Sequence, residues 1–402
     1  MNLLQGIKVI EFAQWMAAPA AAAILSDWGA DVIKIEDPLG GDALRGYAET
    51  RPDYPKTEIN APFELDNRNK KSMAINLRHK SGQEIVHRLV KGADIFITNL
   101  RTKALERLCL DYESLGSINP RLIYAALSGY GEVGPDKEQP GFDRSAYFAR
   151  SGIQDILREP GASPTCMRPA FGDHLSSGFF VAAILGALWC RERTGIAQKV
   201  GLSLYHCGVW QLGTDIQVSL VSGKDIPKAS RNTAGNPLTN HYKTKDDRWI
   251  ILAMPQSDRY WPRFCEAIGR KDLELDPRYR SHQLRSQNAG SLISLLDEVF
   301  ATDTYANWKK ALDKYDNVFG LIQSPVEVTN DIQAWEDGIF TSIEHPTVGK
   351  FKVITAPGRF SKTLARPTSA APELGQHTEE VLIDIGYTWD DILRLKEEQA
   401  II

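Results

Sequence analysis

The chain has 402 residues, 43% of them hydrophobic and 24% charged, with a net charge of −4. These are the proportions of an ordinary globular protein of two or three domains, and the slight acidity excludes a basic field for nucleic acid or anionic membrane. Five cysteines without a C-x-x-C pair argue against a disulfide scaffold or a structural zinc site. The longest apolar run, Phe179–Cys190, is 12 residues against the roughly 20 a bilayer needs, and the N-terminus has none of the parts of a signal peptide. Together these predict a cytoplasmic enzyme.

In chain order, Lys8–Phe12 reads as a strand, followed by a small-residue helix over Pro19–Trp28 that Gly29 closes, and by a strand at Asp31–Ile35. Strand, helix, strand with tight glycine turns is a βαβ unit, which implies a parallel sheet. A helix near Ser81–Val90, a strand at Asp94–Thr98, a helix at Thr102–Arg107 and a strand at Leu122–Leu127 repeat the pattern. The expected fold class is α/β, with a doubly wound, Rossmann-like large domain. Residues 38–69, rich in Gly, Pro, Asp and Tyr, read as a loop long enough to be functional. A second loop spans Gly129–Gly141. Helices are expected over Arg144–Gly152 and Leu175–Arg193, then a strand at Lys199–Leu204 and a long helix from Tyr205. Ser222–Asn240 reads as a linker, and Trp249–Met254 as the strand that opens a smaller domain with helices to about Leu312. From about Ile354 the chain returns to loop, then to helices at Thr378–Ile385 and Trp389–Glu398.

The first βα junction, Glu11–Pro19, contains no glycine, so the dinucleotide fingerprint is missing, and no Walker A loop occurs. The eight histidines are scattered and no H-E-x-x-H is present. NAD, ATP and zinc chemistry are therefore unsupported. Phe171-Gly172-Asp173-His174 stands directly before the apolar helix expected from Leu175. Asp173 there is either a helix cap or a carboxylate aimed at a ligand, with Gly172 leaving room for close approach. Spacing does not choose between them.

Six segments, taken in order, do. MNLLQGIKVIEFAQWMAAPA, LSDWGADVIKIEDPLGGDALRG, NRNKKSMAINL, TNLRTKALERL, SGYGEVGPDKEQPGFD and RPAFGDHLSSG together resemble the class III CoA-transferases of the CaiB/BaiF type over essentially the whole chain. The look is closest to the branch acting on 2-hydroxy, aryl or branched acids. The resemblance implies a CoA-transferase that moves CoA from an acyl-CoA to a free carboxylic acid, with Asp173 as covalent nucleophile. It places CoA contacts at Arg107, at Asn99, at Tyr130 beside the thioester arm, and at a phosphate-facing Lys70 and Lys71, with Arg45 a further candidate. Lys70 and Lys71 read equally as a solvated turn, and Tyr130 as core.

By the same resemblance, acyl-CoA and small acids are substrates, no cofactor is permanently bound, and two ring-like chains interlock as a homodimer. A large CoA-binding domain covers 1–205 and receives the return segment 326–402, with a helix and linker at 206–240 and a small domain at 241–325. Two alternatives are an acyl-CoA racemase and a catalytically silent CoA-binding relative. The racemases carry a histidine where this chain has Phe142, and without it proton removal at Cα lacks a group poised near neutral pH. Gln14 and Met16 replace the His and Gln of formyl-CoA transferases, and the glycine-rich flap of those enzymes has only Asn232–Pro237 as a counterpart, so oxalate and formate are disfavoured.

Overall fold

The computed structural model describes residues 2–402. Its centre is a six-stranded, all-parallel sheet of β1 (Lys8–Phe12), β2 (Asp31–Glu36), β3 (Lys71–Ala74), β4 (Ile95–Thr98), β5 (Ile123–Ser128) and β6 (Lys199–Ser203), in the spatial order β3-β2-β1-β4-β5-β6. This is the doubly wound order. Val9 of β1 pairs with Val32 on one side and Ile95 on the other. Strands covered on both faces read as continuous apolar runs, and every residue of β4 is buried.

Helices cover both faces. On one lie α1 (Ala17–Asp27) and the long helix over Phe171–Thr194, whose small and apolar residues form a core with Val9, Ile95 and Ile123. On the other, the helices Lys80–Lys91, Thr102–Arg107 and Tyr112–Ile118, with the C-terminal pair Thr378–Asp384 and Trp389–Glu397, enclose Ile10, Phe96 and Tyr124. By length and composition the 24-residue helix could cross a bilayer, but here one side of it lies on α1 and on the sheet.

The chain divides into two compact units, one of residues 1–155, 166–224 and 332–402, the other of 156–165 and 225–331. The second unit has a three-stranded antiparallel sheet, β7 (His241–Lys243), β8 (Trp249–Leu252) and β9 (Phe319–Leu321). The helices Ser257–Ala267, Ala289–Phe300 and Tyr305–Lys314 accompany it around an aromatic core. There Tyr242 stacks on Phe300 with centroids 5.1 Å apart.

Several expectations need correction. The stretch read as one long loop holds the helix Ala61–Asn67, and β3 follows it directly. The long helix from Tyr205 is two, Leu204–Gln211 and Gly213–Ser222. The segment expected as a helix over Arg144–Gly152 is a wider, π-type turn at Asp143–Ala149. An antiparallel hairpin, β10 (Phe340–His345) and β11 (Gly349–Ile354), precedes the tail and was not expected at all.

Candidate active site

In a doubly wound sheet the ligand crevice opens beyond the carboxyl ends of the strands, where the order reverses. Here that point lies between β1 and β4. The loops leaving those strands are clasped together: the Gln14 N–H donates to Asn99 Oδ1 at 3.0 Å, and Asn99 Nδ2 donates to the Gln14 carbonyl at 2.6 Å. Trp15, at a left-handed φ of 69°, makes the turn that a glycine makes in dinucleotide folds. Its N–H is fixed to Asp42 Oδ1 at 2.9 Å. A cavity of about 600 Å³ opens there, lined among others by Gln14, Trp15, Asn99, Arg101, Lys103, Gly129, Lys137, Phe142, Asp173 and Lys199.

Asp173 enters this cavity from the first turn of the long helix. That helix starts at Phe171, one turn earlier than its apolar run suggests, and its N-cap is Ala170 at φ 75°, with no side-chain cap. Gly172 is required by packing, since a Cβ there would lie 2.5 Å from Cγ of Tyr147. Asp173 is therefore inside the helix and is not its cap. Among the described residues no group donates a hydrogen bond to its carboxylate.

Electrostatics set this carboxylate apart. Although it opens on the cavity, protein surrounds it, and burial first and the charge of Asp143 second push its pKa to about 7; Asp66 adds to this and His174 opposes it. Asp143 is itself buried and held by the backbone N–H groups of Ala170 and Arg144, and burial raises its pKa too. His174 Nε2 lies 3.0 Å from Oδ1 of the buried Asp66. Burial disfavours the imidazolium, but the hydrogen bond and charge of Asp66 outweigh it and the pKa is raised.

The expected contact residues divide. Asn99 lines the cavity and also clasps the two loops. Arg107 is exposed at the end of its helix, where Leu105 and Glu106 line the cavity instead. Tyr130 lies between the lining residues Gly129 and Gly131, half-buried against Tyr205, with Arg150 over its ring at 5.4 Å.

Three cations are turned away from the cavity. Lys70 is buried, paired with Glu11 at 2.6 Å and bonded to Pro19 O, Asp66 O and Asn67 Oδ1, so no donor is left for a phosphate. Lys71 pairs with Glu380 at 3.0 Å on the outer edge of the sheet. Arg45 forks onto Glu36 and lies over the Phe63 ring. The cations that do line the cavity are Arg101, Lys103, Lys137 and Lys199. The first two sit in the same TNLRTKALER run as Arg107, and their nearness to Asn99 was the available signal. Lys199 is shared with Glu132 at 2.7 Å. Among the described residues no group of three or more His, Cys, Asp or Glu side chains is placed to hold a metal ion. The arrangement is a carboxylate of raised pKa at a cavity whose lining carries four cations, Arg101, Lys103, Lys137 and Lys199, interspersed with Glu106, Asp111, Glu113, Glu132 and Glu138. The free carboxylate is suited to acyl transfer.

Residues 4–378 match CoA-transferase family III. The chain is 36% identical to the (R)-2-hydroxy-4-methylpentanoate CoA-transferase of Clostridioides difficile, over 99% of each chain. It is also 36% identical to the cinnamoyl-CoA:phenyllactate CoA-transferase of Clostridium sporogenes, over 100% of this chain and 98% of that one. A crystal structure of a CaiB/BaiF family protein from Brucella suis superposes with a TM-score of 0.85 at 30% identity, covering 96% of this chain and all of the other.

Proposed function

The chain belongs to CoA-transferase family III, and from that premise we propose that it transfers CoA from an acyl-CoA to a free 2-hydroxy acid through Asp173. The observation that carries this is the Asp173 carboxylate, which has no hydrogen-bond donor among the described residues and opens on the cavity at the switch point. Exchanging one thioester for another needs no energy input, so the obstacle is kinetic, and a covalent route divides it. Asp173 attacks the donor carbonyl, the C–S bond breaks, and a mixed anhydride and CoA thiolate form. The thiolate attacks the aspartyl carbonyl, releases the donor acid and leaves an aspartyl-CoA thioester. The acceptor carboxylate then runs both steps in reverse and restores Asp173.

The uncapped N–H groups at the start of the helix are available to each oxyanion. Arg101, Lys103, Lys137 and Lys199 are assigned to the CoA phosphates and Arg107 to the rim. The 2-hydroxy class rests on the two relatives named above. Phe142, which carries no titratable group, does not favour a racemase. The family resemblance supports a cytoplasmic homodimer with no permanent cofactor, its large domain built from both ends of the chain.

The test has two parts. Incubation with an acyl-CoA and a panel of free acids should yield new acyl-CoAs by mass, and acyl-CoA alone followed by hydroxylamine should modify the peptide holding Arg168–His174. Asp173→Asn should lose both. Turnover above a few per cent in that variant, or a label on another peptide, would overturn the mechanism.

A further inference from the structure

The first turn of the Asp173 helix has two sides. Asp173 lines the 600 Å³ cavity, whereas His174 lines two others, of about 470 and 340 Å³. The first and the 470 Å³ cavity are lined by consecutive residues, Trp15 and Asp173 at one and Met16 and His174 at the other, so they lie next to each other along the chain. The 470 Å³ cavity is walled by apolar groups such as Tyr54, Ile59, Leu65, Phe351 and Val353.

Charged groups also face it. Glu64 is engaged by His345 and the Ala371 N–H, and Lys352 lies over the Trp335 ring at 5.1 Å. His174 is anchored through Nε2 to Asp66, and its Nδ1 has no partner among the described residues. An acceptor acid is an anion, and around Asp173 it meets the carboxylates of Asp66 and Asp143 as well. It therefore needs a cation and a donor.

We infer that His174, held by Asp66, selects the acceptor: Nδ1–H bonds the 2-hydroxyl of a 2-hydroxy acid that has its carboxylate at Asp173 and its branched or aromatic side chain in the 470 Å³ cavity. This rests on the CoA-transfer reading above and deepens it. Asp66 acts as a positioning residue, fixing the ring so that Nδ1 is the free nitrogen. The pKa of His174 is raised: burial opposes protonation, as does Arg68, and the hydrogen bond and charge of Asp66, with the charge of Asp173, prevail.

The experiment compares (R)-2-hydroxy-4-methylpentanoate, 4-methylpentanoate and glycolate as acceptors, and records Asp173 labelling by acyl-CoA alone. A hydrogen bond to a charged group corresponds to a preference of about ten- to a hundred-fold for the hydroxy acid over its deoxy analogue in wild-type kcat/KM. His174→Asn should erase that preference while Asp173 labelling persists. Ile59→Trp, at a half-buried loop position, should shift the kcat/KM ratio of the branched acid to glycolate by more than tenfold. A preference that survives His174→Asn, or an unchanged ratio in Ile59→Trp, overturns the inference. So does a wild type that labels Asp173 but uses neither hydroxy acid, an outcome that leaves CoA transfer standing. Absence of labelling in the wild type refutes the CoA-transfer reading itself.

Discussion

Lys70 Nζ lies 2.6 Å from Glu11 Oε2, and neither side chain has any exposed surface. The other oxygen of Glu11 takes Lys34 at 2.6 Å, and Lys34 reaches Asp42 at 2.8 Å. Asp42 in turn holds the left-handed Trp15 at the cavity wall. A lysine read as a phosphate contact thus belongs to the foundation of the switch-point loop.

Lys70→Met separates these roles. Removing one member of a buried ion pair costs about 3–5 kcal/mol when the other is left uncompensated. Glu11 keeps Lys34 on Oε1 while Oε2 loses its partner, which places the loss at the lower end, about 3 kcal/mol. Urea denaturation should show a loss of that size. A lysine serving only phosphate would leave the denaturation midpoint in place and raise the KM for acyl-CoA.

Asp173 predicts a pH-dependent stability. Its pKa in the fold is about 7 against 3.8, from burial and then from Asp143. A carboxyl with a raised folded pKa contributes stability that is fully present below 3.8 and lost as pH rises through about 7. At 1.36 kcal/mol per pH unit the displacement corresponds to about 4 kcal/mol, which water at the cavity-facing carboxylate reduces to about 2 kcal/mol. Asp173→Asn cannot ionise, so it should be more stable than wild type at pH 8 by about that amount, with the gap closing at pH 4. Thermal denaturation at the two pH values checks this, and an equal gap at both would refute it.

The sheet was legible because strands such as Ile95–Thr98 and Ile123–Ser128 are apolar up to a polar last residue and alternate with helical segments, as a doubly covered parallel sheet favours. Lys71–Ala74 was not: KSMA is four residues without a period, and it becomes a strand because β2 presents Ile33–Glu36 to pair with. The true start of the Asp173 helix was hidden because Ala170 caps it in a left-handed conformation and carries no capping side chain. Asp173 itself was found through family resemblance, and its local signal was ambiguous. Cationic residues near the expected site were visible, but not their direction: Lys70 turns inward to Glu11, a partner 59 positions away, whereas Arg101 and Lys103 line the cavity. His174 and Asp66 lie 108 residues apart, and no spacing rule joins them.

Gly172 provides the sharpest test of how the nucleophile is placed. A Cβ at this position would lie 2.5, 2.7 and 2.8 Å from Cγ, Cδ1 and Cβ of Tyr147, a buried ring that has nowhere to retreat. Fourteen residues along the same helix, Gly186 would place its Cβ in open space. The same substitution should therefore have opposite effects at the two sites. Gly186→Ala removes a flexible residue from a helix interior and should stabilise the protein by about 0.5–1 kcal/mol, with kcat unchanged. Gly172→Ala should destabilise it by about 1–3 kcal/mol through overpacking. Its first turn must also shift away from Tyr147, carrying Asp173 with it, and a misplacement of about 1 Å costs roughly a hundredfold in rate. Measured side by side, kcat for CoA transfer and the denaturation midpoint should fall together in Gly172→Ala and not in Gly186→Ala. If Gly172→Ala behaves like Gly186→Ala, the contact with Tyr147 is not what holds Asp173 at the cavity.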